Sequence, residues 1–134
     1  MRYKDELIKS MKWLGDKENT LFLGQATLFS GHAISGTLTE VPKEKLIELP
    51  VMEEVQMGMA AGLSLEGYVP ITIYPRFNFM MLGINQLVNH MDMLTDTKLV
   101  ELTEPEQVSS TFEDAYNRNG STVVVEWGDF YAEK

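Results

Sequence analysis

Five short apolar runs punctuate this chain, and their spacing constrains its fold more than any other feature. They are LFLGQ at 21–25, KLIEL at 45–49, PITIY at 70–74, KLVEL at 98–102 and TVVVE at 122–126. Runs of this length, rich in branched residues and bounded by glycine, proline or polar turns, read as β-strands. The segments around them carry a helical period instead. Leu7, Ile8, Met11 and Leu14 form a stripe near the N-terminus, and an apolar stretch over 52–67 ends in Gly67, suited to a helix C-terminus. A helix is expected over 79–93 with Leu82, Gln86, Asn89 and Met93 along one side. Another opens at Thr103-Glu104-Pro105-Glu106, with Thr103 as cap, and runs to about Asn119-Gly120. Residues 26–41, rich in Ser, Thr and Gly, read as a loop with at most a short helix. The order α-β-loop-β-α-β-α-β-α-β predicts an α/β fold: three layers, a mostly parallel sheet of about five strands, and helices on both faces. TVVVE, apolar throughout, suits a strand buried on both faces. A length of 134 residues fits a single domain over 1–134.

The net charge of -9 argues against DNA or RNA as a partner, because phosphate binding relies on clustered Lys and Arg. No apolar run approaches the roughly 20 residues of a membrane span, so no membrane role is expected. The absence of cysteine excludes disulfides and thiolate metal sites. The N-terminus, MRYKDELIKSMKW, is amphipathic and acidic in part, without an apolar signal core, and a cytoplasmic location is the default expectation. Methionine is abundant, with Met52, Met57, Met59, Met80 and Met81 in two short runs. They suit adaptable core filling or a flexible apolar surface for a partner subunit.

Ligands of parallel sheets bind at the carboxyl ends of the strands. That points to 24–27, 49–53, 74–79 and Thr103. Glu53 and Glu54 begin the helix after the second strand, where two acids can simply complement the helix dipole. The helix that follows is apolar nearly all round and is expected to be buried. Gly58 and Gly62, four apart with Ala61 beside them, permit close approach of a second helix. A carboxylate leading a buried helix is partly desolvated and can share a proton with a ligand nitrogen. His32, in the Gly/Ser loop, is a candidate for touching substrate or cofactor. Arg76 can meet a substrate carboxylate or phosphate, although an ordinary surface arginine fits the position equally. His90, alone on a helix, reads as structural.

An ordered set of motifs then becomes visible: Glu48-Leu-Pro-Val-Met-Glu53, Gln56-Met-Gly-Met-Ala-Ala-Gly62, Glu66-Gly-Tyr-Val-Pro-Ile71, Phe77-Asn-Phe79 and Asn85-Gln-Leu-Val-Asn89. The set resembles the pyrimidine-binding domain of the transketolase superfamily, in particular the small (beta) subunits of two-subunit 2-oxo-acid dehydrogenases. It runs without a gap from Leu49 to about Met91, roughly a third of the chain. The resemblance implies thiamine diphosphate as cofactor, shared between this chain and a separate diphosphate-binding subunit that also holds magnesium. Glu53 matches the acid that hydrogen-bonds a pyrimidine nitrogen and promotes formation of the cofactor ylid. Phe79 matches the aromatic stacked on the pyrimidine, with Phe77 in support, and Gln25 and Pro75 fall at further cofactor-contacting strand ends. The implied activity is decarboxylation of a 2-oxo acid or two-carbon transfer from a ketose. The chain would be inactive alone, would carry no metal site, and would assemble as a homodimer or heterotetramer.

Four features depart from the family pattern. Asn85 stands where the family has Asp, and Gln25-Ala26 replaces an acid after the first strand. Tyr74-Pro75-Arg76 makes a stiff, charged turn. Between 94 and 98 a strand and a glycine-rich loop are missing, so the sheet is expected to lose an inner strand or its neighbours to close up. A second reading is therefore a shortened, non-catalytic relative acting as a binding or assembly partner. A third, an unrelated flavodoxin-like domain, explains the strand order but not the motif set.

Overall fold

Each apolar run becomes a strand, and all paired strands run parallel. The structure, a computed structural model, describes residues 1–30 and 32–132, without the side chain of Leu94. The elements are α1 (Tyr3–Gly15), β1 (Thr20–Gly24), β2 (Leu46–Glu48), α2 (Glu53–Leu65), β3 (Val69–Ile73), an interrupted helical stretch over 77–94 (α3), β4 (Thr97–Leu102), α4 (Pro105–Asn117) and β5 (Ser121–Glu126). Short 3-10 turns occupy Ala33–Thr37, Lys43–Lys45 and Gly128–Ala132. No helix among the described residues is long and apolar enough to cross a membrane.

The strands form two ladders rather than one sheet. The first has the order β2-β1-β3, with Phe22 opposite Leu46 and Ile71, and Gly24 opposite Glu48 and Ile73. The second pairs β4 with β5, Leu102 opposite Glu126. Among the described residues no ladder joins β3 to β4 or β5. The short connection Thr95-Asp96 leads from α3 directly into β4, and the strands on either side have not closed up.

One apolar cluster nevertheless spans both ladders. Tyr3, Leu7, Met11 and Leu14 of α1 meet Phe22 and Ile73 of the first ladder, Leu102 of the second, and Val108 and Phe112 of α4. Leu7, Met11 and Leu14 belong to the helical stripe expected from the sequence; Ile8, expected with them, is only half-buried, and Tyr3 joins the covered face instead. A smaller cluster of Met57, Met80 and Leu87 lies under α2 and α3, with Tyr74, Met91 and Val123 against it. Val123 and Val124, adjacent on β5, pack against opposite clusters, as alternating strand residues must. α2 stops at Leu65, and Gly67, at φ +89, turns the chain back so that Tyr68 N–H reaches the Leu63 carbonyl at 3.1 Å.

Three local expectations are corrected. α2 is not buried all round: Glu53, Gln56, Met57 and Ala60 are covered, while Val55, Met59 and Leu65 face outward because no layer formed by the described residues lies over them. α3 buries Met80, Gly83 and Leu87 instead of Leu82, Asn89 and Met93. Its regular period is broken by a 3-10 turn at Met81–Gly83 and a π turn at Leu87–Met91, which shift the phase of the covered face. The cap of α4 is Glu104, not Thr103: Gln107 Oε1 reaches back to accept from Glu104 N–H at 3.2 Å and Thr103 N–H at 3.1 Å.

Candidate functional site

The carboxyl ends of β1, β2 and β3 converge on the first turn of α2. Gly24 ends β1 so close to β3 that a β-carbon there would lie 2.6 Å from the Ile73 carbonyl oxygen. The next residues turn sharply, with Ala26 in the left-handed region at φ 53. Glu48, opposite Gly24 at the end of β2, holds that turn. Its carboxylate accepts from the backbone N–H of Ala26 at 2.6 Å, the backbone N–H of Leu28 at 2.9 Å and the Thr27 hydroxyl at 3.0 Å. Desolvation pushes the Glu48 carboxyl upward, but the accepted hydrogen bonds outweigh it and leave it below the usual carboxylate range.

Glu53 is only 5% exposed at the N-terminus of α2. Gln25 Nε2 donates to its Oε1 at 3.3 Å. His32 Nε2 lies 2.8 Å from the Gln25 carbonyl oxygen, so this nitrogen carries a hydrogen, and the other ring nitrogen, Nδ1, is buried without a partner among the described residues. One helical turn along α2, fully buried Gln56 donates its Nε2 to the carbonyls of Leu23 (3.1 Å) and Ile73 (3.0 Å), stapling α2 to β1 and β3. The Tyr74 hydroxyl approaches the Glu53 carbonyl at 3.5 Å; burial, with the nearby Glu53 charge adding, pushes its pKa up to about 12 against a hydrogen bond with Thr72.

The structure thus brings Glu53, Gln25 and His32 into one chain of contacts. Pro75, Arg76, Phe77 and Phe79 follow one another where the chain leaves β3. The Arg76 guanidinium carbon lies 5.9 Å from the Phe79 ring centroid, within cation–π reach. Phe79 is half-buried and Phe77 is 56% exposed. Gly58 faces Gln86 of α3, and a β-carbon there would make ordinary contact with its side chain at 3.8 Å; a β-carbon at Gly62 would meet nothing within 4 Å among the described residues. Sequence reasoning missed Glu48 and Gln56, and gave Tyr74 no role beyond its place in the 74–79 strand end. Gln56 carried a signal, being the lone amide in an apolar helix three residues after Glu53. Glu48 carried none beyond its place at a strand end. Among the described residues, no three His, Asp or Glu side chains are grouped to hold a metal ion.

No family model and no curated protein matches this chain. The site therefore stands on its own geometry. That geometry is a buried carboxylate held by a neutral amide, with an imidazole bonded to the backbone carbonyl of the same glutamine. A buried carboxylate of this kind can share or exchange a proton with a nitrogen base that reaches it.

Proposed function

We propose that this chain is the pyrimidine-binding half of a two-component thiamine-diphosphate enzyme acting on a 2-oxo acid or a ketose, with Glu53 as the acid that hydrogen-bonds the aminopyrimidine. The observation that carries the reading is the burial of Glu53 at the strand ends, with its carboxylate held by Gln25. Glu53 would keep a proton between its carboxyl oxygen and the ring nitrogen. Gln25 would hold the carboxylate's orientation, and the unpartnered Nδ1 of His32 offers an acceptor to the ring's amino group. Phe79 would supply the stacking surface, with Phe77 and Pro75 beside it. Bound there, the cofactor would supply an acidic carbon and an electron sink for chemistry next to a carbonyl. Arg76 suits a substrate carboxylate.

Two further observations support a partner chain. Val51, Val55, Met59, Phe77, Met81 and Leu82 are exposed on and around α2 and α3, close in sequence to the site residues; apolar surface of this kind marks an interaction site. A net charge of -9 leaves the diphosphate and its magnesium to the other subunit. In this reading the two ladders are parts of a three-layer sheet lacking an inner strand, and the assembly is a homodimer or heterotetramer.

The test is reconstitution with a diphosphate-binding subunit. Thiamine-dependent turnover and exchange of the thiazolium C2 proton are measured for the wild type and Glu53→Gln. A loss of about a hundredfold or more is expected; unchanged exchange in Glu53→Gln ends the assignment. The second reading, a non-catalytic assembly partner, is favoured by the unjoined ladders. Calorimetric titration of the assembled complex with thiamine diphosphate and magnesium separates the two, since absence of binding heat selects the assembly role.

A further inference from the structure

We infer that Glu48 is a positioning residue whose carboxylate, by clamping residues 26–28, sets the Gln25 side chain against Glu53. Gln25 is bracketed by two fixed points. On one side Gly24 is locked into the β1 ladder, and its carbonyl accepts from Leu49 N–H at 2.8 Å. On the other side Ala26, Thr27 and Leu28 all donate to the one Glu48 carboxylate. Ala26 sits in the left-handed region, at φ 53, which L-residues with a side chain rarely adopt, so an unanchored turn would relax toward an extended form. That relaxation would rotate Gln25 and break its 3.3 Å bond to Glu53.

The clamp requires a carboxylate. Both Glu48 oxygens are acceptors, one for Ala26 N–H and the other for Leu28 N–H. A glutamine at this position offers one oxygen and one NH2 group, so a donor would face a donor at one of the two amides. Glu48→Gln thus changes the turn without changing side-chain volume.

The inference bears on catalysis only through the reading of Glu53 as the cofactor's acid, and two measurements keep them apart. The first is NMR of the isolated chain. In Glu48→Gln, the Ala26 and Leu28 amides should exchange at least about tenfold faster, and the Gln25 side-chain amide signals should move to free-glutamine positions. Amides of Phe22 and Leu102 should stay protected. Unchanged Gln25 signals overturn the inference. Should Glu48→Gln not fold, Thr27→Val removes one of the three donors, and the same Gln25 displacement, smaller in size, is expected; its absence is equally fatal. The second measurement uses the reconstituted complex with thiamine diphosphate and magnesium. Glu48→Gln should slow C2 proton exchange about tenfold to a hundredfold with cofactor affinity little changed. A purely structural role would lower stability and affinity while leaving the exchange rate of bound cofactor intact, and that result overturns the inference. Wild-type complex that never binds the cofactor removes the functional reading and leaves the clamp to be decided by the NMR result.

Discussion

A β-carbon on Gly83 would lie 3.1 Å from the backbone oxygen of Glu53, so α3 rests directly on the first turn of α2. The Met57 side chain lies 3.6 Å from the same point. Backbone on one side and a packed methionine on the other leave little room to give. Gly83→Ala should destabilise the chain by about 1 kcal/mol and Gly83→Val by up to about 3 kcal/mol. Urea titrations should report a lower midpoint with unchanged slope. Because the pressure falls on Glu53, the thiamine-dependent turnover of the proposed complex should drop more steeply than stability does.

Gln56 is the polar staple of the same region. Replacing it with Leu keeps most of the volume but leaves the Leu23 and Ile73 carbonyls without their donor. Losing two buried hydrogen bonds costs roughly 2–3 kcal/mol, offset in part because the Gln56 Oε1 removed with them is itself buried without a partner among the described residues; thermal melts should register a fall of roughly 5 °C. A Gln56→Leu protein that melts with the wild type would show that water replaces the amide without loss.

Glu126 ends β5 half-buried, beside half-buried Tyr131, which donates to its carboxylate, and buried Tyr3. Burial raises the Glu126 carboxyl above its ordinary value, against the Tyr131 hydrogen bond, and burial together with the Glu126 charge raises the Tyr3 hydroxyl to about 12. The protonated acid is thus favoured in the fold. Its contribution to stability declines as pH rises from the ordinary carboxyl value to the raised one, and stays reduced above it. Glu126→Gln keeps an acceptor for Tyr131 and removes the charge. It should melt higher than the wild type at pH 8, with the difference shrinking as pH falls.

Glu48 has the opposite sign. Its folded value is lowered, so its stabilising effect is full above the ordinary carboxyl value and is lost as pH falls through the lowered one. Local opening of the 25–28 turn, followed by amide exchange at Ala26 and Leu28, should increase below about pH 4.5 in the wild type. In Glu48→Gln it should be high throughout and insensitive to pH. Identical profiles for the two proteins would contradict the carboxylate's role.

The amino-acid sequence by itself determined the identity and order of the elements. Residues 20–24, 46–48, 69–73, 97–102 and 121–126 are strands, each coinciding with an apolar run. α1 buries Leu7, Met11 and Leu14 of the stripe its period marks, and Glu53 stands at the first position of α2. These features were legible because each depends on neighbours within a few residues, where burial imprints its period on the chain. Tertiary structure alone decided the rest. Glu48 became a clamp because the β1–β2 register sets it opposite Gly24, a match between segments more than twenty residues apart. Apolarity marked α2 as a helix that needs cover, but not which side the chain itself would cover; Met57 went inward and Val55 outward. The helical irregularities of α3 moved its buried face to Met80, Gly83 and Leu87, and the short path from α3 to β4 left two ladders in place of one sheet. Register, covered face and ladder pairing are settled by contacts between distant segments, and the residues along any one segment do not encode them.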